Sequence, residues 1–268
     1  MTVRLCVFGN SHAAALREAW MRQPGRWPGL SLGFLAAQGD HLLHTAVQDG
    51  RLVPTDCAGQ KAFERISGAA QITFADYDGF VIAGASVCVN AILPIYRDSR
   101  WSALPSVAAA KDPGRLTQAL VSNNAARAVM RSSLQTRLGY VFAARLRPHI
   151  TQPIFLTSQP RISDEILTSP RPVTRLHNIA IDQGDSEFLG QEFDRLATAE
   201  LANLDCRFIP QPAQTISQGM LTRGDYVKGA NRLAPLLDVP QPKSDILHAN
   251  GLYGALVLDQ IVAATLRL

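Results

Sequence analysis

A serine near one end of the chain, and an aspartate and a histidine near the other, have the types and local spacing that acyl transfer requires. Gly9-Asn10-Ser11-His12 follows an apolar run, and Ser244-Asp245-Ile246-Leu247-His248 precedes the last apolar stretch. A serine hydroxyl attacks a carbonyl only when a base takes its proton. An imidazole serving as that base needs a carboxylate to fix its tautomer and stabilise its cation. Asp245 and His248, three residues apart, supply orienter and base within one short loop. Each motif also has an ordinary structural reading, since serine is a preferred helix N-cap and an isolated Asp-x-x-His is commonly a surface pair. Their pairing depends on the elements that carry them.

Those elements follow the pattern of parallel strands joined by crossover helices, short apolar runs alternating with longer amphipathic stretches. Five strands are expected, at Val3–Phe8, Leu30–Ala36, Gly79–Ala85, Pro153–Ser158 and Cys206–Pro210. Helical spacing marks His12–Arg22, with Ala15, Leu16, Ala19 and Trp20 near one face. It also marks Arg115–Met130, Leu134–Leu146, residues 185–204 and Gly251–Leu266. Ser11 thus falls at the carboxyl end of the first strand and the start of the first helix. Open α/β sheets bind ligands at that edge, and a helix N-terminus there favours developing negative charge. The Asp245/His248 loop follows the last strand and can return across the same edge. Right-handed crossovers and short connections predict a sheet in the order 2-1-3-4-5.

At the level of motifs the chain resembles the SGNH/GDSL hydrolases. Val7-Phe8-Gly9-Asn10-Ser11-His12 is similar to their first block, where Gly-Asp-Ser follows the first strand, with Asn10 here in place of the usual aspartate. Asp245-Ile246-Leu247-His248 is similar to their last block. Ala36-Ala37-Gln38-Gly39-Asp40 resembles the glycine block, and Ile154-Phe155-Leu156-Thr157-Ser158-Gln159-Pro160 the fourth strand with its proline-containing exit. The resemblance implies a flavodoxin-like three-layer α/β/α fold over residues 1–268 as a single domain. It further implies a catalytic triad of Ser11, His248 and Asp245, with the N–H groups of Ser11 and Gly39 facing the oxyanion. One block departs from the family pattern of Gly-x-Asn-Asp after the third strand, because Gly84 is followed by Ala85-Ser86-Val87. Ser86 stands at the asparagine position, and Asn90 in the following loop is the other candidate donor.

Other polar residues have competing readings. His12 and Asn250 are candidate substrate contacts, with first-turn exposure and capping of the last helix as their structural alternatives. His41 and His44 read as loop histidines that lack a sequence-adjacent metal partner, and His149 and His177 have no supporting context. Asp225–Arg232 mixes an aromatic, cations and an amide that suit a sugar or a plain surface loop. No cofactor or metal is implied.

The chain has 268 residues, 47% hydrophobic and 18% charged, enough apolar material for a substantial core. Its net charge of +4 is scattered rather than clustered with aromatics, which argues against nucleic acid. The four cysteines are far apart, and Cys6, Cys88 and Cys206 lie in or beside apolar runs, as reduced buried thiols do. The absence of a leader-like N-terminus and of a spanning apolar run gives a cytoplasmic expectation without membrane association. The leading expectation is hydrolysis of a carboxylic ester, with a small molecule or an acylated carbohydrate as substrate. An O-acyltransferase using the same triad, an inert binding domain on the same scaffold, and a phosphate or nucleotide binder are the alternatives.

Overall fold

A computed structural model describes residues 2–110, 117–169 and 171–265. Its centre is a parallel sheet of β1 (Val3–Gly9), β2 (Leu30–Ala36), β3 (Gly79–Ala83), β4 (Ile154–Thr157) and β5 (Cys206–Ile209). Their spatial order is 2-1-3-4-5, as the crossover argument predicts. The central strands are continuous apolar runs because both faces are covered, the usual condition of parallel sheets. In β1, Leu5 and Val7 point into one buried cluster, and Cys6 and Phe8 into the other.

The first cluster lies beneath α1 (Ala13–Arg22) and the C-terminal helix α6 (Gly251–Thr265). The second is covered by α2 (Cys57–Ser67), α3 (Asn123–Gln135), α4 (Leu138–Leu146) and α5 (Ser186–Ala202). These layers make a three-layer α/β/α fold. α6 is apolar on most sides because it is wedged between α1 and the sheet, and among the described residues no helix is long and apolar enough to cross a membrane.

α1 and α6 approach so closely that a Cβ added to Gly254 would lie 1.9 Å from the Ala15 carbonyl oxygen. Only a glycine fits there. The close approach seats the start of α6, with the histidine loop before it, against the first half of α1, Gly251 meeting Glu18 and Gly254 meeting Ala15.

Several boundaries differ from the sequence reading. The helix expected over Arg115–Met130 starts at Asn123, because Ala119–Val121 is a strand paired with Ser99–Trp101 and Ser122 caps α3 by accepting from the Ala125 N–H. Arg115, Leu116 and Leu266 lie outside the described residues. The third strand ends at Ala83 rather than Ala85, since Gly84, Ala85 and Ser86 all have positive φ. An antiparallel sheet of Thr45–Gln48, Arg51–Pro54 and Ile72–Thr73, together with α2 and a helix at Arg175–Asp182, was not anticipated. All four cysteines are free and only Cys57 is exposed; burial pushes the Cys6 thiol up to about 12 and the Cys206 thiol to about 11.

Candidate active site

The register levels the carboxyl ends of four strands: Gly9 lies opposite Ala36 and Ala83, and Ala83 opposite Thr157. The loops leaving these residues therefore open onto one edge, at the point where the strand order reverses. Ser11 sits in the turn after β1. Asn10 holds that turn by accepting the His12 N–H on Oδ1 at 3.1 Å and the Ala13 N–H on its carbonyl at 3.0 Å. The side-chain oxygen that an aspartate would offer is thus retained by asparagine.

The second half of the site is anchored separately. Ile246 is buried with Ile162, Ile166 and Leu221, and its carbonyl accepts the Ser163 N–H at 2.8 Å. Arg171 donates to the Ser244 carbonyl. Asn250 caps α6, its Oδ1 accepting from the N–H groups of Leu252 and Tyr253, while its Nδ2 donates to the carbonyls of Asp225 and Lys228. Both ends of that amide are committed to the fold, the capping role that was the structural alternative for Asn250. The 225–232 segment accordingly cradles the start of α6.

Between these anchors, His248 Nε2 lies 2.9 Å from Ser11 Oγ, although 237 residues separate the two. His248 Nδ1 lies 3.1 Å from Asp245 Oδ2 and 3.2 Å from Oδ1. The carboxylate also accepts the N–H groups of His248 and Leu247, a local turn that aims the ring. Burial acts to raise the Asp245 pKa, but the hydrogen bonds and charge of His248 outweigh it and hold the carboxyl below its ordinary value. Asp245 is therefore the charged acceptor that Nδ1–H requires.

His12 stacks on His248, with ring centroids 4.7 Å apart and planes 19° from parallel. Burial foremost, and then the charge of His248, push the His12 pKa down to about 3, so the ring stays neutral. Among the described residues its buried Nδ1 has no partner.

Among the described residues neither the Ser11 N–H nor the Gly39 N–H has a protein acceptor, and Gly39 occupies the left-handed region at φ +76°. Ser86 donates its N–H to Gln159 Oε1 at 2.9 Å. Asn90 Oδ1 faces His177 Nε2 at 2.9 Å. His177 is buried, and burial pushes its pKa down to about 4. The sequence offered no signal for this pair, because 87 residues separate the partners. His44 is half exposed near Asp40 and Asp56, and no group of three potential metal ligands occurs among the described residues. A cleft of about 390 Å³, lined in part by Glu165, Lys228, Gln241, Lys243 and Asp245, opens beside the aspartate.

The fold and this edge define a class, an α/β/α protein with a serine, a histidine and an aspartate in hydrogen-bonding sequence at the carboxyl end of the sheet. No protein-family model matches the chain, and no curated protein matches it. A solved structure described provisionally as a platelet activating factor from Streptococcus pneumonia is similar over 98% of this chain and 84% of its own, at 12% identity and a TM-score of 0.39.

Proposed function

We propose that the protein is a serine-dependent carboxylic ester hydrolase of the SGNH type, with Ser11 as nucleophile, His248 as general base and acid, and Asp245 as orienter. The observation that carries this reading is the continuous line Ser11 Oγ, His248 Nε2, His248 Nδ1, Asp245, with bonds of 2.9 and 3.1 Å. Ser11 Oγ attacks the acyl carbon as its proton passes to His248 Nε2, and the carbonyl π pair moves onto oxygen. Collapse of the tetrahedral adduct breaks the bond to the alkoxide, which leaves with the proton from Nε2. Water, deprotonated by the same nitrogen, then attacks the acyl-enzyme, releasing the acid and restoring Ser11. The unpartnered N–H groups of Ser11 and Gly39 hold the oxyanion, and the block after β3, which lacks the family's asparagine, leaves the place of a side-chain donor to be filled, with Ser86 and Asn90 as the candidates read from sequence.

A sugar hydroxyl in place of water makes the same site an O-acyltransferase. The lining of the cleft beside Asp245 is mainly apolar but includes Glu165, Lys228, Gln241 and Lys243, side chains able to hydrogen-bond a hydroxyl-bearing substrate such as an acylated carbohydrate. Hydrolysis of p-nitrophenyl acetate and labelling by a fluorophosphonate, both abolished in Ser11→Ala, test the reading. Well-folded wild-type protein inert to both would sink it in favour of a binding domain on this scaffold.

A further inference from the structure

We propose that the side-chain amide of Gln159 is a donor of the oxyanion hole, standing in for the asparagine that the segment after β3 lacks. The inference rests on Ser11 being the nucleophile. β1, β3 and β4 are neighbours in the sheet, and Gly9, Ala83 and Thr157 lie level in register. Ser11 follows Gly9 by two residues, as Gln159 follows Thr157. The two therefore leave the same edge two strands apart, roughly 10 Å at the usual strand spacing.

Gln159 spans part of that gap with its own side chain. Its Oε1 accepts the Ser86 N–H at 2.9 Å, which draws the amide over the end of β3, the strand lying between. Gly84 marks how closely the groups meet there: a Cβ added to it would lie 3.1 Å from His12 Cβ and 3.3 Å from Gln159 Cβ. The residue next to the nucleophile and Gln159 thus flank a single glycine.

A backbone N–H can only donate, so the oxygen of the amide must face Ser86 and Nε2 must face away. Among the described residues Nε2 has no acceptor, and it is not a fully buried orphan. It joins the N–H groups of Ser11 and Gly39 as an unpartnered donor on this edge. The Ser86 N–H is occupied by Gln159 and Asn90 is held through Oδ1 by His177, so the Ser86 hydroxyl and the Asn90 Nδ2 are the competing side-chain donors that the variants below separate.

The supporting turn is held in an uncommon conformation. Gly84, Ala85 and Ser86 have φ of 69°, 47° and 66°, and two of the three carry a Cβ. Such strain persists only where the surroundings over-determine it. Here Gly84 N–H donates to Thr157 Oγ1, Gly139 N–H to the Ala85 carbonyl, Ser86 N–H to Gln159 Oε1 and Gln159 N–H to the Val87 carbonyl. Turn and glutamine lock each other through main chain and side chain, the preorganisation that a useful oxyanion donor needs.

The test separates donation from scaffolding. Gln159→Glu keeps size and the acceptor for Ser86 but removes both N–H donors, whereas Gln159→Ala removes donor and acceptor together. Both are expected to lower kcat on p-nitrophenyl acetate by about 10²–10³ with KM changed only a few-fold. Fluorophosphonate labelling should slow in parallel, while thermal unfolding of the Glu variant stays close to wild type. Wild-type kcat in Gln159→Glu, with only the Ala variant impaired, would reduce the residue to a scaffold and overturn the proposal. A comparable loss in Ser86→Ala or Asn90→Ala, with Gln159→Glu active, would overturn it by moving the donor there. With wild type active and Ser11→Ala dead, failure at Gln159 overturns this inference alone; an inert wild type overturns both.

Discussion

The three residues of the proposed triad differ in what each can lose. Ser11→Ala removes the nucleophile and His248→Ala the base, so each should cut ester hydrolysis by several orders of magnitude, and the double variant should be little worse than either. A double variant with multiplied losses would mean that the two act separately. Asp245→Asn should cost less than Ser11→Ala, because the amide still occupies the place 3.1 Å from Nδ1 but neither selects the tautomer nor stabilises the imidazolium. His12 acts through packing: a neutral ring stacked at 4.7 Å fixes the face of His248. Aromatic pairs are worth about 0.5–1.5 kcal/mol, so His12→Ala should lower kcat/KM by about two- to tenfold, and His12→Phe should restore most of it. Equal losses in both variants would assign the ring's nitrogens a substrate contact instead.

At the scale of elements, the meeting of the two loops depends on how closely α1 and α6 cross. A methyl at Gly254 would strike the Ala15 backbone, which cannot swing aside as a side chain can. Gly254→Ala should therefore destabilise by about 1–3 kcal/mol, lowering the melting temperature by about 2–4 °C for each kcal/mol, and should weaken turnover by displacing His248. An unchanged melting temperature would mean that the helices part freely. The five strands and the segments carrying Ser11, Asp245 and His248 were legible in sequence because apolar runs such as Val3–Phe8 and local spacings such as Asp245 to His248 are short-range signals. The sheet order followed from crossover handedness. What was not legible depends on distant partners. Ala119–Val121 belongs to a helical-looking stretch until Ser99–Trp101 pairs with it. Asn250 becomes a bridge only when the 225–228 backbone arrives, and Gln159 gains its place from a turn 73 residues away.

For the molecule as a whole, burying neutral histidines couples stability to pH. Burial pushes His177 to about 4 and His12 to about 3, against an ordinary value of 6.5. Both folded values are depressed, so between 6.5 and the folded value the unfolded chain binds more protons than the native one. Stability is then fully present above pH 6.5 and is lost progressively as pH falls towards 4 and then 3. For His177 the shift corresponds to about 3 kcal/mol. Carboxylates act lower down. Burial tends to raise Asp245 and Glu192, but His248 and two arginines, Arg195 and Arg127, hold them below their ordinary values, so their contributions fade only below about pH 4. Replacing His177 by glutamine keeps a polar partner for Asn90 and removes the titration. Melting curves between pH 7 and 4 should therefore fall less steeply for His177→Gln than for wild type, with the two diverging only below about 6.5. Parallel curves would show that the imidazole charges in place at no cost, and that the Asn90–His177 contact tolerates a proton on Nδ1, the nitrogen that now lies buried without a partner.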